Sequence, residues 1–189
     1  MSEPVKSRYD SSRRRAQVRR TRADVVGAAR ELFIQQGYTA TTVEAIAAAA
    51  GAAAATVYRL FGSKRAVLEG VLEVSFVGDD APLALHERPA VRAAFAAEDP
   101  RHMLAGFARV CRELLDRSGP VQRVLREAAA IEPDAAQLLE LVRGQRLEGQ
   151  SRIARELATR RALRPGLDEV TAADTIYTLM SPEVHDILT

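Results

Sequence analysis

Thr42-Val43-Glu44-Ala45-Ile46-Ala47-Ala48-Ala49-Ala50-Gly51-Ala52-Ala53-Ala54-Ala55-Thr56-Val57-Tyr58-Arg59-Leu60-Phe61 is the stretch around which this chain is organised. It reads as two short helices with a tight turn between them. A hydroxyl at Thr41 or Thr42 accepts from an orphan N–H of the first turn. Thr41-x-x-Glu44 also fits a reciprocal capping box, so the helix starts after either Thr. Ile46 to Ala50 is strongly helix-forming. Gly51 stands where a helix ends in a left-handed residue, which glycine adopts without a steric penalty. A second helical run closes at Phe61-Gly62. The plan is that of a helix-turn-helix. Periodicity alone also allows an ordinary pair of short helices in an all-helical protein.

The flanking residues narrow the choice. Upstream lies Ala28-Ala29-Arg30-Glu31-Leu32-Phe33-Ile34-Gln35-Gln36-Gly37-Tyr38-Thr39-Ala40-Thr41-Thr42. Downstream lies Thr56-Val57-Tyr58-Arg59-Leu60-Phe61-Gly62-Ser63-Lys64-Arg65-Ala66-Val67-Leu68. In order and spacing these residues resemble the N-terminal DNA-binding domain of the TetR family of transcriptional regulators, over roughly residues 19–78. The resemblance implies that the second short helix enters the major groove while the first braces it. It gives Thr42 a helix-start phosphate contact, Tyr58 a phosphate or base contact and Lys64 a phosphate contact. Thr56 and Arg59 share the recognition segment and are further candidates, since Arg pairs bidentately with guanine. The plainer alternatives are a core Tyr58 with its hydroxyl at the rim, and solvated charges at Lys64 and Arg65.

The sequence departs from the family pattern at 52–55, which are all alanine. Relatives often place a small polar and a basic residue there. Ala53 cannot cap, a loss of about 1 kcal/mol against Ser or Thr. Alanine touches a thymine methyl but offers bases no side-chain hydrogen bond. Base readout is therefore expected to rest mainly on Thr56, Tyr58 and Arg59, with the basic arm carrying an unusual share of the affinity. The alternative is that the alanines reflect codon bias and phosphate contacts suffice.

That arm is visible in the charge distribution. The chain has 189 residues and a net charge of +2. Residues 1–22 carry Lys6, Arg8, Arg13, Arg14, Arg15, Arg19, Arg20 and Arg22 against Glu3 and Asp10, a net +6, which leaves −4 for the remainder. A basic end on a mildly acidic body points to an anionic partner. An inconsequential solvated tail is the alternative. Arms of this kind reach into the minor groove in homeodomain-like proteins, where a narrow groove attracts Arg. Residues 1–18 are expected to form a flexible basic arm, with Arg13, Arg14, Arg15, Arg19 and Arg20 as candidate DNA contacts at and beside it.

A chain of this length buries about 70% of its unfolded surface, enough for one or two domains. Sustained period-two runs are missing and period-3.6 patterning dominates, so the fold class is all-α. No apolar run approaches the ~18 residues of a membrane span, and the N-terminus has no apolar secretory core. One cysteine, Cys111, rules out an intramolecular disulfide framework and fits a reducing cytoplasm.

In chain order, the first helix is expected from about Thr21 to Gln36, burying Val25, Ala28, Ala29, Leu32 and Phe33. After the helix-turn-helix (42–61), Ser63 caps a helix to about Val77. Its apolar residues Val67, Leu68, Val71, Leu72, Val74 and Phe76 cover a wide arc, as in a connector between the DNA-binding domain (19–78) and a C-terminal domain (79–189). Residues 78–90 read as a loop or short irregular element. Asp99-Pro100 opens a helix that Ser118-Gly119 ends, and Pro120 opens another. Pro133 opens the longest, to about Arg161, with a seam of Leu138, Val142, Gln145, Gly149, Ile153 and Leu157. Gly144 and Gly149 suggest a kink or a close helix contact. Asp168 caps a helix with Ala173, Ile176 and Tyr177, and Ser181-Pro182 starts a last one.

By resemblance the C-terminal part is the divergent ligand-binding and dimerisation domain, whose late helices pair between subunits. The resemblance leaves open whether the chain ends naturally at Thr189. Candidate effector contacts are Phe76, Phe95, Met103, Phe107, Cys111, Leu125, Leu141 and Tyr177, each with plain core as its alternative. Catalysis has little support. His86, His102 and His185 are scattered, with no i, i+4 pair for a metal. Cys111 sits among apolar neighbours as a core residue would. Gly62-Ser63-Lys64 lacks the preceding glycine and strand of a phosphate loop. No cofactor, metal or membrane partner is expected. The resemblance implies a cytoplasmic, homodimeric, ligand-responsive repressor that regulates transcription from a near-palindromic operator. The operator, the regulated genes, the effector and the sign of regulation are not written in the sequence. The competing readings are a helical enzyme or ligand-sequestering protein, and an architectural DNA binder without sequence preference.

Overall fold

The computed structural model describes residues 6–78 and 85–189, with side chains from residue 13 onward. All regular structure among them is helical. The elements are α1 (Lys6–Ala40), α2 (Val43–Ala49), α3 (Ala54–Phe61), α4 (Lys64–Val77), α5 (Pro89–Ala96), α6 (Pro100–Ala129), α7 (Pro133–Thr159), α8 (Glu169–Leu179) and α9 (Pro182–Leu188), with one 3₁₀ turn at Leu85–Glu87. They form two compact units, Met1–Val71 and Leu72–Thr189.

In the first unit, α1 buries Val25, Val26, Ala29 and Phe33 on one face. Gly37, at φ 79° and ψ 169°, interrupts the helical path, and Tyr38 then folds back so that its ring lies 5.5 Å from that of Phe33. Val43, Ile46 and Ala47 of α2, Val57 of α3 and Val67, Leu68 and Val71 of α4 complete the buried set. Helix α1 starts much earlier than Thr21. Residues 6–26 contain neither Gly nor Pro, and Arg is a good helix former, so nothing local stops the helix from running back through the arginines. Arg13, Arg14, Arg15, Arg19 and Arg20 are thus presented from helical turns, all exposed, where the sequence suggests a flexible arm.

In the second unit, α6 packs against α5, α7 and α9, and α7 packs against α8. Met103, Ile153, Ala154, Leu157, Ala172, Ala173 and Ile176 form a buried cluster; Phe95 and Phe107 pack against it, edge-on to each other with ring centres 6.4 Å apart. Asp99, Asp168 and Ser181 cap α6, α8 and α9 as expected. The Thr171 N–H that Asp168 accepts holds its carboxyl below the usual range.

Three expectations about this unit need correction. First, α6 does not stop at Ser118-Gly119 but runs through Pro120. Pro120 gives up one ladder bond. The Ser118 hydroxyl donates to the Leu114 carbonyl (2.7 Å) and accepts from Gln122 Nε2 (2.8 Å) in a buried network that keeps this stretch in order. Burial of Leu115, Val121, Val124, Leu125 and Ala128 along one face favours the continuous helix. Second, Pro89 opens α5, which buries Val91 and Ala94 and is too short for periodicity to reveal. Third, Gln145 and Gly149 are exposed instead of lining the α7 seam, and the buried polar residue is Gln150. Apart from its chain neighbours and the backbone of α7 itself, no heavy atom of the described residues lies within 4 Å of a Cβ built on Gly144 or Gly149, so neither glycine serves a close contact with another described element. The end of α7 comes at Thr159, where Ala162 N–H reaches Leu157 O and Arg161 takes φ 54°.

Candidate nucleic-acid interface and effector site

The axes of α2 and α3 turn through 109°, inside the range of a helix-turn-helix. The turn is built by backbone hydrogen bonds. Ala52 N–H donates to Ala47 O (2.9 Å) and Gly51 N–H to Ala48 O (3.2 Å), with Gly51 at φ +63°. This is the glycine-centred helix stop that the sequence suggests. It aims α3 away from α2 without needing a side chain.

Thr42, not Thr41, caps α2: its hydroxyl accepts from Ala45 N–H at 3.1 Å. The Thr41–Glu44 capping box is therefore not formed. Thr41 is fully buried, donates to Gly37 O (2.7 Å) and accepts from Gln36 Nε2 (3.2 Å), which closes the bend at the end of α1. Accepting the Ala45 bond leaves the Thr42 O–H as a donor on an exposed residue.

Helix α3 has Ala53 at its cap position and no side-chain cap bond. Val57 faces the core, while Tyr58 is 47% exposed and Arg59 is exposed, so Tyr58 is not a core residue. Thr56 is half-buried beside them. Gly62, at φ +83°, ends α3, and the Ser63 hydroxyl caps α4 through Ala66 N–H (3.1 Å). Lys64 Nζ donates to Tyr38 O at 3.0 Å and stands 4.2 Å above the Tyr38 ring, so the ammonium is held in place and keeps two further donors. At the last residue of α3, the Arg22 guanidinium stacks 4.5 Å over Phe61. A Cβ on Gly70 would stand 3.2 Å from the Phe61 ring and 3.6 Å from Arg22, so glycine makes room for this stack.

The effector candidates do not gather in one place. Met103, Phe95 and Phe107 belong to the buried cluster of the second unit. Leu125 is buried elsewhere on α6, against a small cleft. Leu141 is 44% exposed, and Phe76 is half-buried on α4. Tyr177 lies under Arg146, whose guanidinium is 3.6 Å above the ring and donates to Tyr177 O (3.0 Å). Burial pushes the Cys111 thiol up to about 12, against the pull of the Arg146 charge, so it stays protonated and is a poor nucleophile. Periodicity did not reveal three arginines that tie this unit together. Arg146 is one. Arg160 donates to Phe95 O (2.8 Å) and Ala97 O, and Arg126 meets Asp186 at 2.6 Å. Burial opposes the Asp186 charge, but Arg123 and Arg126 outweigh it and hold the carboxyl below its usual range.

Among the described residues no group of three His, Cys, Asp or Glu is placed to hold a metal ion. No single described helix is long and apolar enough to cross a membrane.

Residues 25–71 match the family model described as bacterial regulatory proteins, tetR family. The HTH-type transcriptional regulator TcmR of Streptomyces glaucescens is 36% identical over 96 residues, 51% of this chain. The match spans only 39% of that relative's length. Among solved structures, NalD, the secondary repressor of the MexAB-OprM multidrug efflux pump in Pseudomonas aeruginosa, superposes with a TM-score of 0.62 at 21% identity, over 90% of this chain and 86% of that one. A gamma-butyrolactone receptor (ArpA-like protein) superposes with a TM-score of 0.58 at 23% identity, over 87% and 76%. At these identities the likeness to the solved structures is one of fold.

Proposed function

We propose that this chain is a member of the TetR family of bacterial regulatory proteins, a cytoplasmic, homodimeric transcriptional repressor released from a near-palindromic operator by a small-molecule effector. The observation that carries the reading is the capped α2, glycine turn and exposed face of α3. Tyr58 and Arg59 are exposed on α3, and Thr42 and Lys64 flank the two helices in the chain. In this reading Thr42 and Lys64 fix α3 on the phosphates, and Thr56, Tyr58 and Arg59 meet base edges. Two copies of α3 then read successive major-groove faces about one helical turn apart. The relatives named as repressor and receptor support ligand control, and only an effector with unequal affinity for two states can drive release.

The arginines of α1 take a different role from a minor-groove arm. A helix is about 10–12 Å across and the minor groove about 6 Å wide, so a helical extension lies along phosphates. Arg13, Arg14, Arg15, Arg19 and Arg20 then supply affinity without sequence information.

Changing Tyr58, Arg59 and Lys64 together to Ala tests the proposal. The variant is expected to keep its helical circular dichroism and lose operator binding by at least about 100-fold, at ~1–3 kcal/mol per good contact. Unchanged binding would reject α3 as the reader. A second reading, architectural binding without sequence preference, is favoured by one observation: α3 starts from the alanine run 52–55 without a cap while α1 is dense in arginine. Its signature is a low ratio of specific to non-specific affinity.

A further inference from the structure

The second unit holds a charged cluster that lies outside the candidate DNA-binding residues. Helix α9 is seven residues long, and within it only Pro182 is buried. Its apolar Ile187 and Leu188 are 81% and 77% exposed. Charge fastens it to α6. Arg126 Nη2 lies 2.6 Å from Asp186 Oδ2, and its Nε lies 3.8 Å from Glu183 Oε1. Arg123 Nη2 lies 3.1 Å from Asp186 Oδ1, and His185 Nε2 lies 2.8 Å from Asp116 Oδ1.

Under the start of α9, between α6 and α7, lies a cleft of about 20 Å³. Its apolar lining includes Leu125, Leu139 and Val142. Its charged lining is Arg126, Arg143 and Arg146 against Glu183 alone. The three guanidiniums are not equally engaged. Arg126 is bound by α9, and Arg143 pairs with the largely exposed Glu140 (2.8 Å). Arg146 is held by the Tyr177 ring and carbonyl, and no described carboxylate pairs with it.

The geometry points to this cleft as the receptor for an amphipathic organic acid, whose anionic head meets Arg146 and Arg143 and whose apolar body lies on Leu125, Leu139 and Val142. A space of this size admits one water-sized group, so the head enters and the body does not fit while α9 is seated. Arg126 is both cleft wall and α9 clamp, so an acid in the cleft competes with Glu183 and Asp186 for it. Binding therefore favours the state with α9 released, and the coupling is a difference in affinity between two states. The inference rests on the proposed effector control only for its consequence at DNA. The site stands on ligand binding alone.

The probes are decanoate and decanol, which share a chain length and differ in charge, titrated into the full chain by calorimetry. Decanoate is expected to bind saturably and at least about tenfold more tightly than decanol. Arg143→Gln and Arg146→Gln are each expected to weaken decanoate by about tenfold and leave decanol unchanged. Arg143 is exposed, so its variant remains informative if Arg146→Gln fails to fold. Amide hydrogen exchange over residues 182–188 is expected to accelerate when decanoate is added. Equal affinity for the two probes, no binding of decanoate, or indifference of decanoate to Arg143→Gln overturns the site. Binding with unchanged exchange in α9 overturns the release. Decanoate that binds and frees α9 but leaves DNA retention unaltered upholds the site and counts against effector control of DNA binding.

Discussion

The N-terminal half of α1 and helix α3 are opposites in chemistry. Residues 13–22 hold six arginines and no acid, on exposed helical turns. Helix α3 holds one arginine, starts on an uncapped alanine and carries Thr56, Tyr58 and Arg59 as its polar side chains. Arginines spaced along a helix bind phosphate wherever it lies. A sparse helix whose few polar side chains are aimed by a glycine turn is suited to discrimination. On the proposed function, the contrast assigns affinity and specificity to separate elements, so each is open to change without the other.

Deleting residues 1–18 gives the broadest expected effect, on operator and random DNA alike. It removes Arg13, Arg14 and Arg15 as well as Lys6 and Arg8, and it lowers the slope of log affinity against log salt by about 0.9 for each phosphate that is no longer neutralised. Affinity for operator and for random DNA falls together, by at least about tenfold at physiological salt. Binding isotherms at several salt concentrations measure this, and an unchanged slope sinks the division of labour. Arg59→Ala sharpens the other side. It is expected to cost about 1–3 kcal/mol on the operator and little on random DNA. An equal loss on both would make Arg59 a phosphate contact.

Caps supply the smaller tests, read by chemical denaturation. Thr42→Ala removes the hydroxyl that accepts Ala45 N–H and is expected to cost about 1 kcal/mol of stability. Ala53→Ser adds the cap that α3 lacks and is expected to gain up to about 1 kcal/mol. A loss on Ala53→Ser would mean that the uncapped start of α3 fits a contact a serine disturbs.

The two units differed in how much their residues disclosed in advance. In the first, Gly51, Gly62 and Ser63 mark backbone events decided locally, by a positive φ or a cap, and those were legible. Thr42 and Thr41 were ambiguous because both offer a hydroxyl at a helix start, and the choice is made by Gly37 O and Gln36, which occupy Thr41. The extension of α1 was hidden because arginine runs satisfy both a disordered tail and a helix. In the second unit, Ser118-Gly119-Pro120 carries every local mark of a break, yet burial along α6 outweighs it. Arg126, Arg146 and Arg160 bridge residues 31 to 65 positions apart, a separation that periodicity does not address.

The central claim is that α3 reads sequence while α1 supplies affinity. Selection of DNA fragments from random sequence by the purified protein at physiological salt tests it most directly. The account predicts an enriched near-palindrome whose consensus is kept, with weaker retention, when residues 1–18 are deleted. Retention without a consensus, falling steeply with salt and vanishing on that deletion, would contradict it and leave α1 as the sole DNA-binding element.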